Sequence, residues 1–329
     1  APIMDSHKRE KVQGITYNVV SVAMLGGDVS PSSPIGINLP NSNWIRSNFG
    51  SKSVSLGNIT AAYDKARSGG FLDEFAYTDK EKERSKKHGS FAGKMHTAMH
   101  EVLGHASGKL EEGVGTPKET LKNYASTIEE GRADLFGLYY IMDPKLIEMG
   151  LVDSDEVGKA EYDGYIRNGL MLQLRRLQPG EKIEESHMRN RAYISQWVFE
   201  QGQPDNVIEK KINDGKTYFV INDYEALQKL FGELLREIQR IKSQGDYEAA
   251  KQLVEKYGVN VEQGIHEEVL ERSKALNIPP YAGFMNPHYK PVTDENEAIT
   301  DIMITYPDNF LEQMLYYDEH YAFLPLENN

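Results

Sequence analysis

Met95–Lys109 reads MHTAMHEVLGHASGK and carries three of the chain's nine histidines, His96, His100 and His105. Glu101 follows His100 directly. A His-Glu pair followed by a second His on an apolar helix has the form of a zinc-hydrolase site. Zinc takes neutral imidazole and carboxylate ligands, and a catalytic site keeps one position open for water. The carboxylate beside the first ligand cannot easily reach the same metal. It is placed instead to take a proton from that water.

The spacing departs from the usual i, i+4 rule. His100 and His105 are five residues apart, which on an ideal helix separates them by about 140°. Both reach one metal only where the helix is overwound or bulged, and such bulges often sit at functional sites. Gly104, just before His105, is expected to relax the backbone there. His96 and His100, in HTAMH, have the regular spacing but carry Thr97 where the base would stand. The two pairings remain rivals.

A third ligand is needed. Ser126–Tyr140, STIEEGRADLFGLYY, spaces Ile128, Leu135, Leu138 and Tyr139 as an amphipathic helix does. Glu129, Glu130 and Asp134 lie on it. Glu130 and Asp134 share a face, so one can bind metal while the other accepts a hydrogen bond from a ligand imidazole and fixes its tautomer. The plain reading of the same residues is a solvated acidic helix start with Arg132 as an internal partner.

Together these segments resemble the dipeptidyl peptidase III family, zinc exopeptidases with HExxGH and EExRx(E/D) motifs. HEVLGH at His100–His105 fits the first motif in full. EEGRAD at Glu129–Asp134 fits the second, with Gly131 where many members have Cys. SPIGINLPN (Ser33–Asn41), VSLGN (Val54–Asn58), SHMRNR (Ser186–Arg191) and PHYK (Pro287–Lys290) extend the resemblance along most of the chain. The resemblance implies one zinc per chain on His100, His105 and Glu130, with Glu101 as base and Glu129 and Asp134 holding the ligand imidazoles. It implies that His187 meets the substrate or the developing oxyanion, and that Gly36, Asn38 and Asn41 line the substrate's amino end. Arg191 and Lys290 would meet carboxylates. Lys290 stands where an arginine is expected, and lysine lacks the bidentate fork.

Composition bounds the rest. The chain has 329 residues, 39% hydrophobic and 26% charged, with no apolar run long enough to span a membrane. A net charge of −13 argues against nucleic-acid binding. With no cysteine there is no disulfide framework or thiolate metal site, so any metal rests on His, Asp or Glu. The opening APIMDSHKREK is not a signal peptide. Family members are considerably longer, so the chain is expected to be a C-terminal portion. The family's acidic partner for the substrate ammonium, and a tyrosine that assists at the oxyanion, would lie upstream. A cytoplasmic monomer is expected, with the periplasm left open.

In order, GITYNVV reads partly as strand and GINLPN as a short strand able to add a peptide at its edge. Residues 59–76 read as helix, broken at Gly69-Gly70. DKEKERSKKH (Asp79–His88) reads as a solvated helix face. Helices follow over about 90–107, 121–142, 156–177 and 181–200. KTYFVIN (Lys216–Asn222) is the clearest strand, Asp223 caps a helix to about 243, and two amphipathic helices follow. His266 reads as a surface residue, and residues 308–317 as a final helix. The fold expected is mainly α, a helical zinc-binding lobe with a smaller β-containing part across a cleft. The resemblance puts residues 1–21 and 68–286 in the zinc lobe and 22–67 and 287–329 in a substrate-binding lobe. The implied function is zinc-dependent release of dipeptides from the N-terminus of short peptides. The alternatives are a zincin-type endopeptidase and a non-catalytic metal-binding fragment.

Overall fold

The structure, a computed structural model, describes residues 2–10, 15–24, 34–39, 43–67, 70–278, 286–305, 307 and 309–321. In chain order its elements are β1 (Ile15–Val20), β2 (Gly36–Leu39), α1 (Asn43–Phe49), β3 (Ser51–Leu56), α2 (Gly57–Arg67), α3 (Phe71–Phe75), α4 (Asp79–Met99), α5 (Pro117–Thr120), α6 (Ala125–Tyr140), α7 (Pro144–Glu148), α8 (Glu156–Leu170), α9 (Ser186–Gln201), β4 (Ile208–Asn213), β5 (Lys216–Ile221), α10 (Tyr224–Gln244), α11 (Tyr247–Val254), α12 (Gln263–Ala275), β6 (His288–Thr293), β7 (Ile299–Thr305) and α13 (Phe310–Tyr321). The fold is mainly α with small sheets. No helix among the described residues is long and apolar enough to cross a membrane.

The chain divides into two compact units. The larger comprises residues 1–17, 38–53 and 70–277. Its centre is α6, buried at Thr127, Ile128 and every position from Gly131 to Leu138, as expected of a helix enclosed by others. It packs against α4, α9 and α10. On α10, Leu227, Phe231, Leu234, Leu235, Ile238 and Ile241 form one buried stripe at three- and four-residue spacing. The Asp223 side chain accepts from Ala226 N at 2.9 Å, capping that helix as expected, and Gly245 at φ 66° ends it. The β4–β5 hairpin turns through Asp214 and Gly215, both at positive φ, the combination that a tight two-residue turn requires. β4 went unread in the sequence because its alternation is masked by charged residues.

Two expectations fail in this unit. The run Asp79–His88 is helical, but its face is not wholly solvated. Glu81 and Arg84, three residues apart, are buried against α8. Arg84 reaches Glu156 and Asp163 at 2.7 Å each, and Arg167 pairs with Glu81. Composition alone could not show that one face of the run meets its counter-charges on a later helix. His266 is 4% exposed rather than on the surface, with its Nε2 3.1 Å from the Leu177 carbonyl. The Arg84 network carries a pH signature. Burial works against the Glu156 carboxylate, but hydrogen bonds from Arg84 and Lys159 lower its pKa to about 2. A depressed carboxylate stabilises the fold above its unfolded pKa, and that contribution fades as pH falls toward the folded value. Glu156→Gln should therefore be less stable than wild type to urea at pH 7. The gap should close between about pH 4.5 and 2; a gap that persists at the acid end would dissociate this ion pair from the stability.

The smaller unit comprises residues 18–37, 54–69 and 278–329. The sheet order is β1–β3–β2, which leaves β2 at an edge, where the sequence placed an edge strand. Asn58 ties the start of α2 to the end of β1, its side chain bonding Val22 N at 2.9 Å and Val22 O at 2.8 Å. β6 and β7 pair antiparallel, and α13 closes the described chain.

Candidate metal centre

The α-helical pattern of α4 stops at Met99, and His100–Gly104 form a single π turn. His105 N donates to His100 O at 3.1 Å, the i→i+5 bond of that turn. One wider turn returns the chain to the same side after five residues, so the His100 and His105 Nε2 atoms face each other at 3.1 Å. The bulge that the spacing demanded is thus present. Gly104 serves it differently from the relaxed backbone expected. A Cβ there would lie 2.6 Å from Ala133 Cα, so the missing side chain is what lets the turn lie directly on α6. Gly104→Ala should separate the two segments and lower both the unfolding temperature and zinc affinity. Wild-type values for both would disprove the close-packing role.

From α6, Glu130 reaches into the same space. Its Oε2 lies 3.3 Å from His100 Nε2 and 3.9 Å from His105 Nε2. Tetrahedral zinc with bonds near 2.0–2.1 Å separates its ligand atoms by about 3.3 Å. The three atoms converge at close to that spacing, and the residues form a group able to hold a metal ion. The far ring nitrogens are occupied: His100 Nδ1 lies 2.7 Å from Asp134 Oδ1, and His105 Nδ1 lies 3.0 Å from Glu129 Oε1. Carboxylates at Nδ1 favour the tautomer that turns a lone pair at each Nε2 inward. Burial opposes charge on His100, but its hydrogen bonds to Asp134 and Glu130 raise its pKa to about 10. Burial works against the carboxylates as well, yet the His100 and His96 bonds hold Asp134 far below its usual range, and Arg132, Lys242 and His105 do so for Glu129. Glu130 is lowered too, chiefly by His100 once burial is overcome. The space between these groups attracts positive charge, a proton or a divalent cation. The donor set fits zinc.

Several partners have no local signal in the sequence. Asp134 Oδ2 accepts from Tyr165 Oη and Asn190 Nδ2, each at 2.8 Å. Arg132, fully buried, donates to both oxygens of Glu129 and to the carbonyls of Gly104 and Ser107. It closes the end of the His100–Gly104 turn and is not a solvated partner. Lys242 Nζ lies 2.5 Å from Glu129 Oε2. Buried Ser53 donates to Glu101 Oε2 at 3.2 Å. Asn190 sits inside the SHMRNR segment, so only its partner was unreadable. Tyr165, Lys242 and Ser53 lie far in sequence from Asp134, Glu129 and Glu101, whereas Arg132 was in view from the motif.

His96, the rival, is buried with its Nδ1 2.5 Å from Glu161 Oε1 and its Nε2 3.6 Å from Asp134 Oδ1. It forms a second group with His100 and Asp134, on the far side of the His100 ring from Glu130. His187, on α9, is half exposed with Nδ1 3.8 Å from Glu130 Oε2. Arg191 lies one turn beyond it, half-buried, its carbonyl facing Gly169. Gly36 lies on β2 and Lys290 is exposed on β6. The Asn38 side chain and the whole of Asn41 lie outside the described residues.

The model of peptidase family M49 matches residues 18–114 and 112–276. The chain belongs to peptidase family M49. Its relatives within M49 are distant. Mouse dipeptidyl peptidase 3 is 30% identical over 263 residues, covering 68% of this chain and 35% of the relative. The Nematostella vectensis dipeptidyl peptidase 3 is 28% identical over 261 residues with the same coverage. The structure of DPP III from Caldithrix abyssi superposes with a TM-score of 0.64 at 25% identity, over 84% of this chain and 52% of that one. The Corallococcus sp. strain EGB dipeptidyl-peptidase III gives a TM-score of 0.67 at 23% identity, over 84% and 48%, a likeness of fold. This M49 chain spans about a third of the length of the curated relatives it matches.

Proposed function

We propose that this M49 chain carries the zinc site of a dipeptidyl peptidase that releases dipeptides from the N-terminus of short peptides. The observation that carries the proposal is the convergence of His100 Nε2, His105 Nε2 and Glu130 Oε2, with Glu101 next in sequence to His100. These three residues would hold one zinc ion. When bound, zinc polarises the scissile carbonyl and lowers the pKa of water toward neutrality. Glu101 takes the proton of the attacking water on its carboxylate, while Ser53 holds Oε2. The water oxygen bonds to the carbonyl carbon. As the C–N bond breaks, Glu101 passes its proton to the leaving amine. His187, close to Glu130, donates to the oxyanion.

Asp134 and Glu129 keep the two imidazoles in the binding tautomer. By resemblance, Gly36, Asn38, Asn41, Arg191 and Lys290 bind the peptide. Asp134→Ala should weaken zinc binding by about 10- to 100-fold; an unchanged dissociation constant would remove Asp134 from the site. The proposal is tested by metal content together with hydrolysis of a dipeptidyl chromogenic substrate and of the same peptide with a blocked N-terminus. One zinc per chain and cleavage of the free-amine substrate alone is the expected result. Equal cleavage of both would make it an endopeptidase. Zinc without cleavage of either would make it a metal-binding protein.

A further inference from the structure

The two carboxylates behind the metal site are held in unlike ways. Asp134 takes neutral donors, Tyr165 and Asn190, besides the imidazole of His100, with His96 Nε2 3.6 Å away. Glu129 is clamped by cations. Arg132 spans both its oxygens, at 3.0 Å and 2.7 Å, Lys242 Nζ binds Oε2 at 2.5 Å, and Oε1 also faces His105 Nδ1 at 3.0 Å. Lys242 arrives from the last turn of α10. The same turns anchor the segment after His105. Gln239 Oε1 accepts from Arg132, Ser243 Oγ donates to the Lys109 carbonyl at 2.7 Å, and a Cβ at Gly108, at φ 75°, would lie 2.3 Å from Gln239 Oε1.

We propose that Lys242 is a positioning residue for the metal site: through Glu129 it fixes the orientation of His105. This rests on the proposed ligand set. Glu129 meets His105 through one oxygen only; the Arg132 fork holds both oxygens from one side, and Lys242 adds a second cation at the oxygen away from His105. With the ammonium on Oε2 the carboxylate is held from two directions, which fixes the orientation of the oxygen that His105 meets. Packing alone does not explain a cation here, because an apolar side chain is cheaper to bury than a second charge beside Arg132. Burial and that arginine push the Lys242 ammonium down to about 8 despite Glu129.

The test compares Lys242→Met, Lys242→Gln and His105→Ala with wild type. The readouts are zinc dissociation constants by chelator competition, visible spectra of the cobalt-substituted proteins and circular dichroism. The expected result is zinc binding about tenfold weaker or more in Lys242→Met, a shifted cobalt band and retained fold, with Lys242→Gln intermediate because its amide still donates. Affinities within about threefold of wild type and an unchanged cobalt spectrum in both would overturn the inference. So would failure of both to fold, which would make Lys242 structural. His105→Ala separates the two layers. If it keeps wild-type affinity, the ligand set itself is wrong. If it loses zinc while both Lys242 variants keep it, only the role of Lys242 falls.

Discussion

Glu101→Ala should bind zinc as wild type does and hydrolyse dipeptidyl substrates about 10⁴-fold more slowly. A general base is worth about 10²- to 10⁴-fold, and the upper end is expected because one carboxylate both removes the water proton and returns it to the amine. Without it, the proton must leave to solvent and a second must arrive. Alanine also strips buried Ser53 of its acceptor, so some loss of stability accompanies it. Glu101→Gln retains an acceptor for Ser53 but no base. The two variants should therefore be equally inactive while differing in unfolding temperature. Turnover within threefold of wild type in Glu101→Gln, about 0.6 kcal/mol of barrier, would take Glu101 out of the mechanism.

His105→Ala should lose zinc, with affinity falling by more than about 10²-fold, beyond the loss typical of an outer hydrogen-bonding partner. It removes one of three converging atoms and leaves the charged Glu129 cluster facing a cavity. His96→Ala should keep zinc within about tenfold. Its ring nitrogens are directed to Glu161 and Asp134, so it reaches the ligands only through Asp134. Metal analysis of both variants after dialysis decides between the pairings. Zinc lost from His96→Ala and kept by His105→Ala would favour the regular HTAMH spacing.

The site was legible where chemistry is local in sequence. The five-residue spacing of His100 and His105 forced a bulge, and the π turn supplies it. Glu129, Glu130 and Asp134 occupy one short helix, so the proposed ligand and the two carboxylates that meet the imidazoles fall together on one element. Long-range partners could not be found. Lys242 on a late helix, Tyr165 on α8 and Ser53 on β3 look like ordinary side chains of their elements, and only packing brings them to Glu129, Asp134 and Glu101. The same limit explains His266 and the Asp79–His88 run. Whether a polar residue is solvated depends on what another helix brings to it, as Asp163 and Glu156 do for Arg84. The mainly helical fold followed from periodicity. β6 and β7 did not, because nearly all their residues are exposed, and no buried-face alternation marks them.

The central claim is that one zinc sits among His100, His105 and Glu130. Anomalous diffraction from crystals of the zinc-loaded protein, collected on both sides of the zinc edge, tests it directly. The account predicts a single peak within bonding distance of His100 Nε2, His105 Nε2 and Glu130 Oε2. A peak among His96, His100 and Asp134, or no ordered zinc near Glu130, would contradict it.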